Sequence, residues 1–133
     1  MVSVSWCLHG PRRRLWVPVV LYMAAIFYSS SLSDPPIPSG TDKPLHWLVY
    51  LGLAVVVFRA VAGGLPGRVD VRTAGIATLI TVGYAVTDEA HQMLVAGRSA
   101  DPYDLLADAA GAAAGMAACW AWGIISPASR DEL

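Results

Sequence analysis

Four runs of apolar residues, near 15–31, 45–62, 73–95 and 102–125, are longer than the core helices of an ordinary small soluble domain. Each approaches the roughly 20 residues a helix needs to cross about 30 Å of hydrocarbon, and the first is just long enough. Composition points the same way. The chain is 56% hydrophobic and only 14% charged, where a soluble domain carries about a quarter charged residues. Its mean hydropathy is +0.52. The sequence therefore predicts an all-α fold, an integral membrane bundle of four transmembrane helices. No basic patch with interleaved aromatics occurs and the net charge is −1, so nucleic acid is not an expected partner. Cys7 and Cys119 lack spaced partners, which excludes a disulfide framework and a thiolate metal site.

Punctuation between the runs is clear. Residues 1–14 form a polar leader ending in Arg12, Arg13 and Arg14. This positive flank, the short first run and the small residues Ser29, Ser30 and Ser31 also fit a signal peptide, so a retained span and a cleaved signal both remain open. Pro35, Pro36 and Pro38 then forbid a helix. Thr41 or Asp42 can cap the second helix, with Pro44 tolerated in its first turn. Gly63, Gly64, Pro66 and Gly67 end it. Asp101 is the expected cap of the fourth helix, with Pro102 at its first position, and residues 126–133 form a polar tail.

Lys and Arg accumulate in cytoplasmic loops. With four spans, Arg12, Arg13, Arg14, Arg59, Arg68, Arg72 and Arg130 fall on one side, and only Lys43 and Arg98 on the other. Both termini are thus expected in the cytoplasm, with a cytoplasmic leader and tail around a membrane domain over residues 15–125.

The outer side then collects the polar residues. Asp42, His46 and Tyr50 are spaced i, i+4, i+8 and share one face of the second helix, with Lys43 beside them. On the third, Tyr84, Asp88 and His91 lie close to one face, as do Glu89 and Gln92. With a helix running to Val95, Asp88 would sit about 10 Å inside its end at a rise of about 1.5 Å per residue. Ionisable groups at such depth are costly and usually functional. On the fourth, Asp104, Asp108, Gly111 and Gly115 form a single stripe whose lower part is a GxxxG, a helix-packing motif. Read singly, Asp42 is a cap, Lys43 an interfacial anchor, and His46 and Tyr50 belt residues. Read together, the stripes converge on one outward-opening pocket. Its six acids, Asp42, Asp88, Glu89, Asp101, Asp104 and Asp108, face only Lys43 and Arg98. Such an excess calls for protonated carboxyls, a divalent cation or a cationic ligand. Asp, Glu and His can ligate a metal, but no compact metal motif is present and no cofactor is assured. Lys43, Arg98 and the starts of the second and fourth helices can instead hold an anion.

The segments DKPLHWLVY and DEAHQMLVAGRSADPYDLLADAAGAAAG, in this order and spacing, resemble the VanZ-like family of bacterial membrane proteins. The pattern of that family falls on Asp42, Lys43, His46 and Tyr50, then Glu89 and Gln92, then Gly97 and Arg98, then Asp104, Asp108, Gly111 and Gly115. Asp108 stands where the family usually has Asn. The resemblance implies a multi-pass protein of the bacterial plasma membrane and a cell-envelope theme. The family is named for a protein linked to resistance to the glycopeptide teicoplanin, a phenotype that membership alone does not carry over.

The expected function is the binding or modification of a lipid or cell-wall precursor headgroup at the outer leaflet. Glu89 or Asp88 would transfer protons. Asp42, Lys43, His46, Tyr50, Gln92, Arg98, Asp104 and Asp108 would form the binding groups. Membrane lipid is the expected partner, and the Gly111/Gly115 face a candidate homo-oligomer contact. Two other readings fit the residues: a small proton- or ion-coupled carrier, and a structural subunit whose GxxxG face holds a partner helix.

Overall fold

The computed structural model describes residues 10–38, 40–64 and 69–125, and these described residues form four helices and no strand. These are α1 (Gly10–Ser30), α2 (Asp42–Ala62), α3 (Val71–Gln92) and α4 (Pro102–Ile125). By length and composition α2 and α4 are apolar enough to cross a membrane. The expected tail, residues 126–133, and the leader before residue 10 lie outside the described residues.

Helix ends differ from expectation where local bonds outrank hydropathy. The arginines Arg12 to Arg14 belong to α1 itself, which begins before its apolar stretch. The start of α3 falls at Val71 rather than Thr73, because the Asp70 side chain accepts from the Thr73 amide at 2.9 Å. Asp42 is the first residue of α2 and Thr41 its cap position, but the Thr41 hydroxyl donates to the Pro38 carbonyl (2.6 Å) and leaves the helix uncapped by a side chain. At its other end α2 stops at Gly63, whose φ of 78° is left-handed. The end of α3 needs the largest correction. It stops at Gln92, not Val95, and tight turns follow, with the Leu94 amide on the His91 carbonyl (2.9 Å) and the Val95 amide on Gln92 (3.1 Å). Gly97, at φ 81°, then turns the chain back. Asp88 is therefore one turn, about 6 Å, from the end of its helix rather than about 10 Å.

The core is built around α2, which packs against all three other helices and most extensively against α4. Leu53, Val57 and Phe58 of α2 form one buried cluster with Ala77 and Ala85 of α3, Cys119 of α4, and Val19 and Ile26 of α1. Large apolar side chains also cover the outside, among them Leu21, Phe27, Leu79, Leu106 and Trp120. A surface as apolar as the interior suits lipid as the surrounding solvent.

The α2–α4 contact depends on glycine. A Cβ at Gly111 would collide with the Trp47 carbonyl oxygen, and one at Gly115 would lie 2.7 Å from the Leu51 carbonyl oxygen and 2.8 Å from the Ala54 Cβ. The GxxxG face is thus filled by α2 of the same chain, and the homo-oligomer contact expected there finds no free face. By contrast, Gly83 on α3 has nothing within 4 Å of its would-be Cβ. Gly115→Ala is expected to lower unfolding stability by about 1–3 kcal/mol through overpacking. Gly83→Ala should change it by less than about 1 kcal/mol, in either direction. Thermal melts of the two purified variants check the contrast.

Candidate functional site

Of the basic residues expected on one side, Arg68 and Arg130 lie outside the described residues. Arg12, Arg59 and Arg72 belong to one end of the bundle, where a Cβ at Gly63 would touch the Arg12 guanidinium at 3.4 Å. Lys43, Arg98 and all six acids of the expected pocket belong to the other end. There the acids fall into two groups.

The first group lies between α2 and α4. The Lys43 ammonium donates to Asp101 Oδ2 at 2.7 Å and to Asp104 Oδ1 at 2.6 Å, tying together the two helix starts. One turn further in, His46 Nδ1 lies 2.8 Å from Asp108 Oδ1. That bond fixes the ring with Nε2 toward Asp42 Oδ1 (3.8 Å) and Asp104 Oδ2 (4.0 Å). Asp42, His46 and Asp104 offer one ligand atom each, all within 4.8 Å of one another, so this trio is where a divalent cation would fit. Lys43 already sits on Asp104, and any cation would share that carboxylate.

The second group lies between α1, α2 and α3. The Tyr50 hydroxyl and the Gln92 amide both donate to Asp88 Oδ2, each at 3.3 Å. Gln92 Nε2 also reaches Ser30 Oγ at 3.4 Å, and Gln92 Oε1 accepts from Arg98 Nη2 at 2.7 Å. Asp88 Oδ1 is buried and has no hydrogen-bond partner among the described residues. Beside this chain of bonds is a cavity of about 350 Å³. Asp88, Arg98, His46, Tyr50 and Ser30 line its polar part, and Ala25, Ile26, Ile37, Leu45 and Val49 its apolar part.

Glu89 joins the two groups without belonging to the cavity lining. Its Oε1 accepts the backbone amide of Asp101, which holds the α3–α4 connection over the bundle. Asp101 in turn caps α4 by accepting the Tyr103 amide at 2.9 Å. The two acids named from sequence for proton transfer therefore have different surroundings. Lys43 and Arg98, expected to clamp an anion jointly, serve different partners, Lys43 two carboxylates and Arg98 an amide. His91 departs from its neighbours. It stacks on Phe27 with ring centroids 4.4 Å apart and meets the Ser31 hydroxyl at 3.0 Å, away from the acids.

The contribution of α1 was not anticipated from sequence. Ser30 is buried against Gln92, and the Tyr22 hydroxyl donates to the Val49 carbonyl at 2.8 Å over Gly52. A tyrosine facing a glycine is a detectable signal only once α1 and α2 are known to be neighbours.

An all-α membrane protein, with acids gathered at one end and a largely apolar cavity beside them, is the class that fold and site define. The chain belongs to the VanZ/LLP1 family, whose sequence model matches residues 38–125, more than half of its length. No curated protein and no solved structure matches it.

Asp101 allows a pH test. The Lys43 ammonium beside it, with the Tyr103 amide, holds its carboxyl below the ordinary aspartate range. A depressed folded-state value means its stabilisation is complete above the unfolded value, near 3.9, and is lost as pH falls through the lower folded one. The melting difference between wild type and Asp101→Asn should therefore stay constant from about pH 8 to about pH 5, closing only in stronger acid. A difference that closes above about pH 5 would contradict this pairing.

Proposed function

We propose that this VanZ-family protein is a four-span protein of the bacterial plasma membrane that binds the headgroup of a lipid or lipid-linked cell-wall precursor at the outer leaflet. Both termini face the cytoplasm, and the acid-bearing end faces outward. What carries the reading is the cavity between α1, α2 and α3, apolar along Ile26, Leu45 and Val49 and polar at Asp88 and Arg98. Such a lining suits an amphiphile, since apolar walls take carbon while a few placed polar groups fix orientation. At about 30 Å³ per water, about 350 Å³ equals roughly a dozen waters, the size of a headgroup and its first carbons rather than of whole acyl chains. The orientation rests on basic residues gathered at the opposite end. Lys43, His46, Asp104 and Asp108 hold the α2 and α4 starts together, and Arg98 and Asp88 meet the ligand. An effect on glycopeptide susceptibility would follow from action at the envelope.

Filling the cavity tests this function. Ile26→Trp should reduce the lipid that co-purifies with the protein by about tenfold, a loss equivalent to about 1.4 kcal/mol. Leu79→Trp, on the exposed face of α3, should leave it unchanged. Mass spectrometry of the extracted lipid gives both readings, and equal retention by the two variants would refute the cavity as the binding place. The orientation has its own test, run in a background without Cys7 and Cys119. A cysteine at Ser99 should react with an impermeant maleimide added outside intact cells, and one at Val71 only after the cells are opened.

A further inference from the structure

Asp88 and Arg98 line one cavity, and each has bonding capacity that the described residues do not use. Asp88 is 5% exposed. Its Oδ2 accepts from Tyr50 and Gln92, and Oδ1 has no donor among the described residues. A buried acceptor left in this state is destabilising, and a ligand that donates to it removes the penalty. Arg98 bonds Gln92 through Nη2, and the five N–H donors of a guanidinium leave it others to offer. Gln92 bridges the two residues, giving Asp88 Oδ2 its amide hydrogen and Arg98 its carbonyl. The cavity thus presents an acceptor with negative charge and a donor with positive charge, held one glutamine apart.

Resting on the lipid reading above, we propose that the cavity selects a zwitterionic phosphodiester headgroup bearing a primary ammonium, with its phosphate on Arg98 and its ammonium on Asp88 Oδ1. Charge decides among headgroups. A phosphodiester with only hydroxyl donors brings one negative charge, which answers Arg98 and leaves Asp88 facing a neutral donor. A phosphodiester with an ammonium answers both, and charge-assisted hydrogen bonds are roughly twice as strong as neutral ones. A quaternary ammonium carries the same charge but no N–H, so it leaves Oδ1 unpaired. The apolar wall of Ile26, Leu45 and Val49 favours this headgroup on a lipid over the same headgroup free in water.

Three lipids with identical acyl chains, phosphatidylethanolamine, phosphatidylglycerol and phosphatidylcholine, separate these cases when offered to the full-length protein in mixed nanodiscs. Native mass spectrometry then reads the bound species. The ethanolamine lipid should be retained at least about tenfold over each of the others, as expected for one charge-assisted hydrogen bond. Asp88→Asn should bring its retention down to the choline level, and Arg98→Gln should lower all three. Glycerophosphoethanolamine, the same headgroup without chains, should displace the lipid only at about tenfold or greater excess. Equal retention of ethanolamine and choline lipids, both lost in Ile26→Trp, would overturn the headgroup assignment and leave the lipid reading standing. Preference for the glycerol lipid would overturn the ammonium. Displacement by equimolar glycerophosphoethanolamine would overturn the choice of a lipid over a soluble ligand. Wild-type protein that holds none of the three would overturn this assignment and the lipid reading together.

Discussion

The close approach of α2 and α4 fixes the rest of this protein. Where Gly111 and Gly115 meet the backbone at Trp47 and Leu51, no side chain separates the two helices. In lipid the hydrophobic effect does not drive helices together, and close packing of small residues takes over much of that role. The contact also sets the register. With Gly111 against Trp47, the α4 residues one and two turns toward the helix start, Asp108 and Asp104, meet His46 and Lys43 of α2. The ion pairs are consequences of a steric fit. Charges alone would not select one register, since the acids at 101, 104 and 108 offer a lysine several alternatives.

The excess of acid is met partly by backbone. Asp42 is the first residue of α2, Asp101 caps α4, and Asp104 lies in its first turn. All three occupy helix N-termini, where partial positive charge and free amides stabilise carboxylates. Glu89 adds the Asp101 amide. Lys43 and His46 serve acids of the same set. A divalent ion at Asp42, His46 and Asp104 would be one more stabilising contact. The helix starts, which from sequence were available to an external anion, are thus occupied by the acids of the chain itself.

Much of this was legible in sequence because helical periodicity states which residues share a face. The stripes Asp42–His46–Tyr50 and Asp104–Asp108–Gly111–Gly115 are read directly, and they do face each other. Periodicity does not say which neighbour a face meets. A GxxxG looks the same whether it receives a helix of its own chain or of another, and here α2 fills it. Hydropathy carried α3 to Val95 because Met93, Leu94 and Val95 are apolar, whereas Gly97 and the Glu89–Asp101 bond end it earlier. The part played by α1 was hidden for a different reason. Ser29 and Ser30 are small residues at a helix end, with nothing local to distinguish a cavity wall from a cleavage region or a simple terminus.

Asp88 and Glu89 show why adjacent acids are hard to separate from sequence. Consecutive residues on a helix are about 100° apart, since 3.6 residues make a turn. Two carboxylates that look like one acidic patch therefore meet different neighbours. Glu89 points toward the α3–α4 connection and accepts a backbone amide, a structural latch with one oxygen committed. Asp88 bonds Tyr50 and Gln92 through one oxygen, and its other oxygen has no partner among the described residues. A proton-transferring or ligand-binding carboxylate needs an uncommitted lone pair within reach of its target. Of the two, only Asp88 has that oxygen in a residue that lines the cavity. Glu89 acts a step away, by holding in place the connection that carries Arg98. Its replacement would disturb the cavity through the position of Arg98, and replacement of Asp88 would disturb it directly. The acid that anchors the connection and the acid that lines the cavity are thus consecutive residues divided by one helical step.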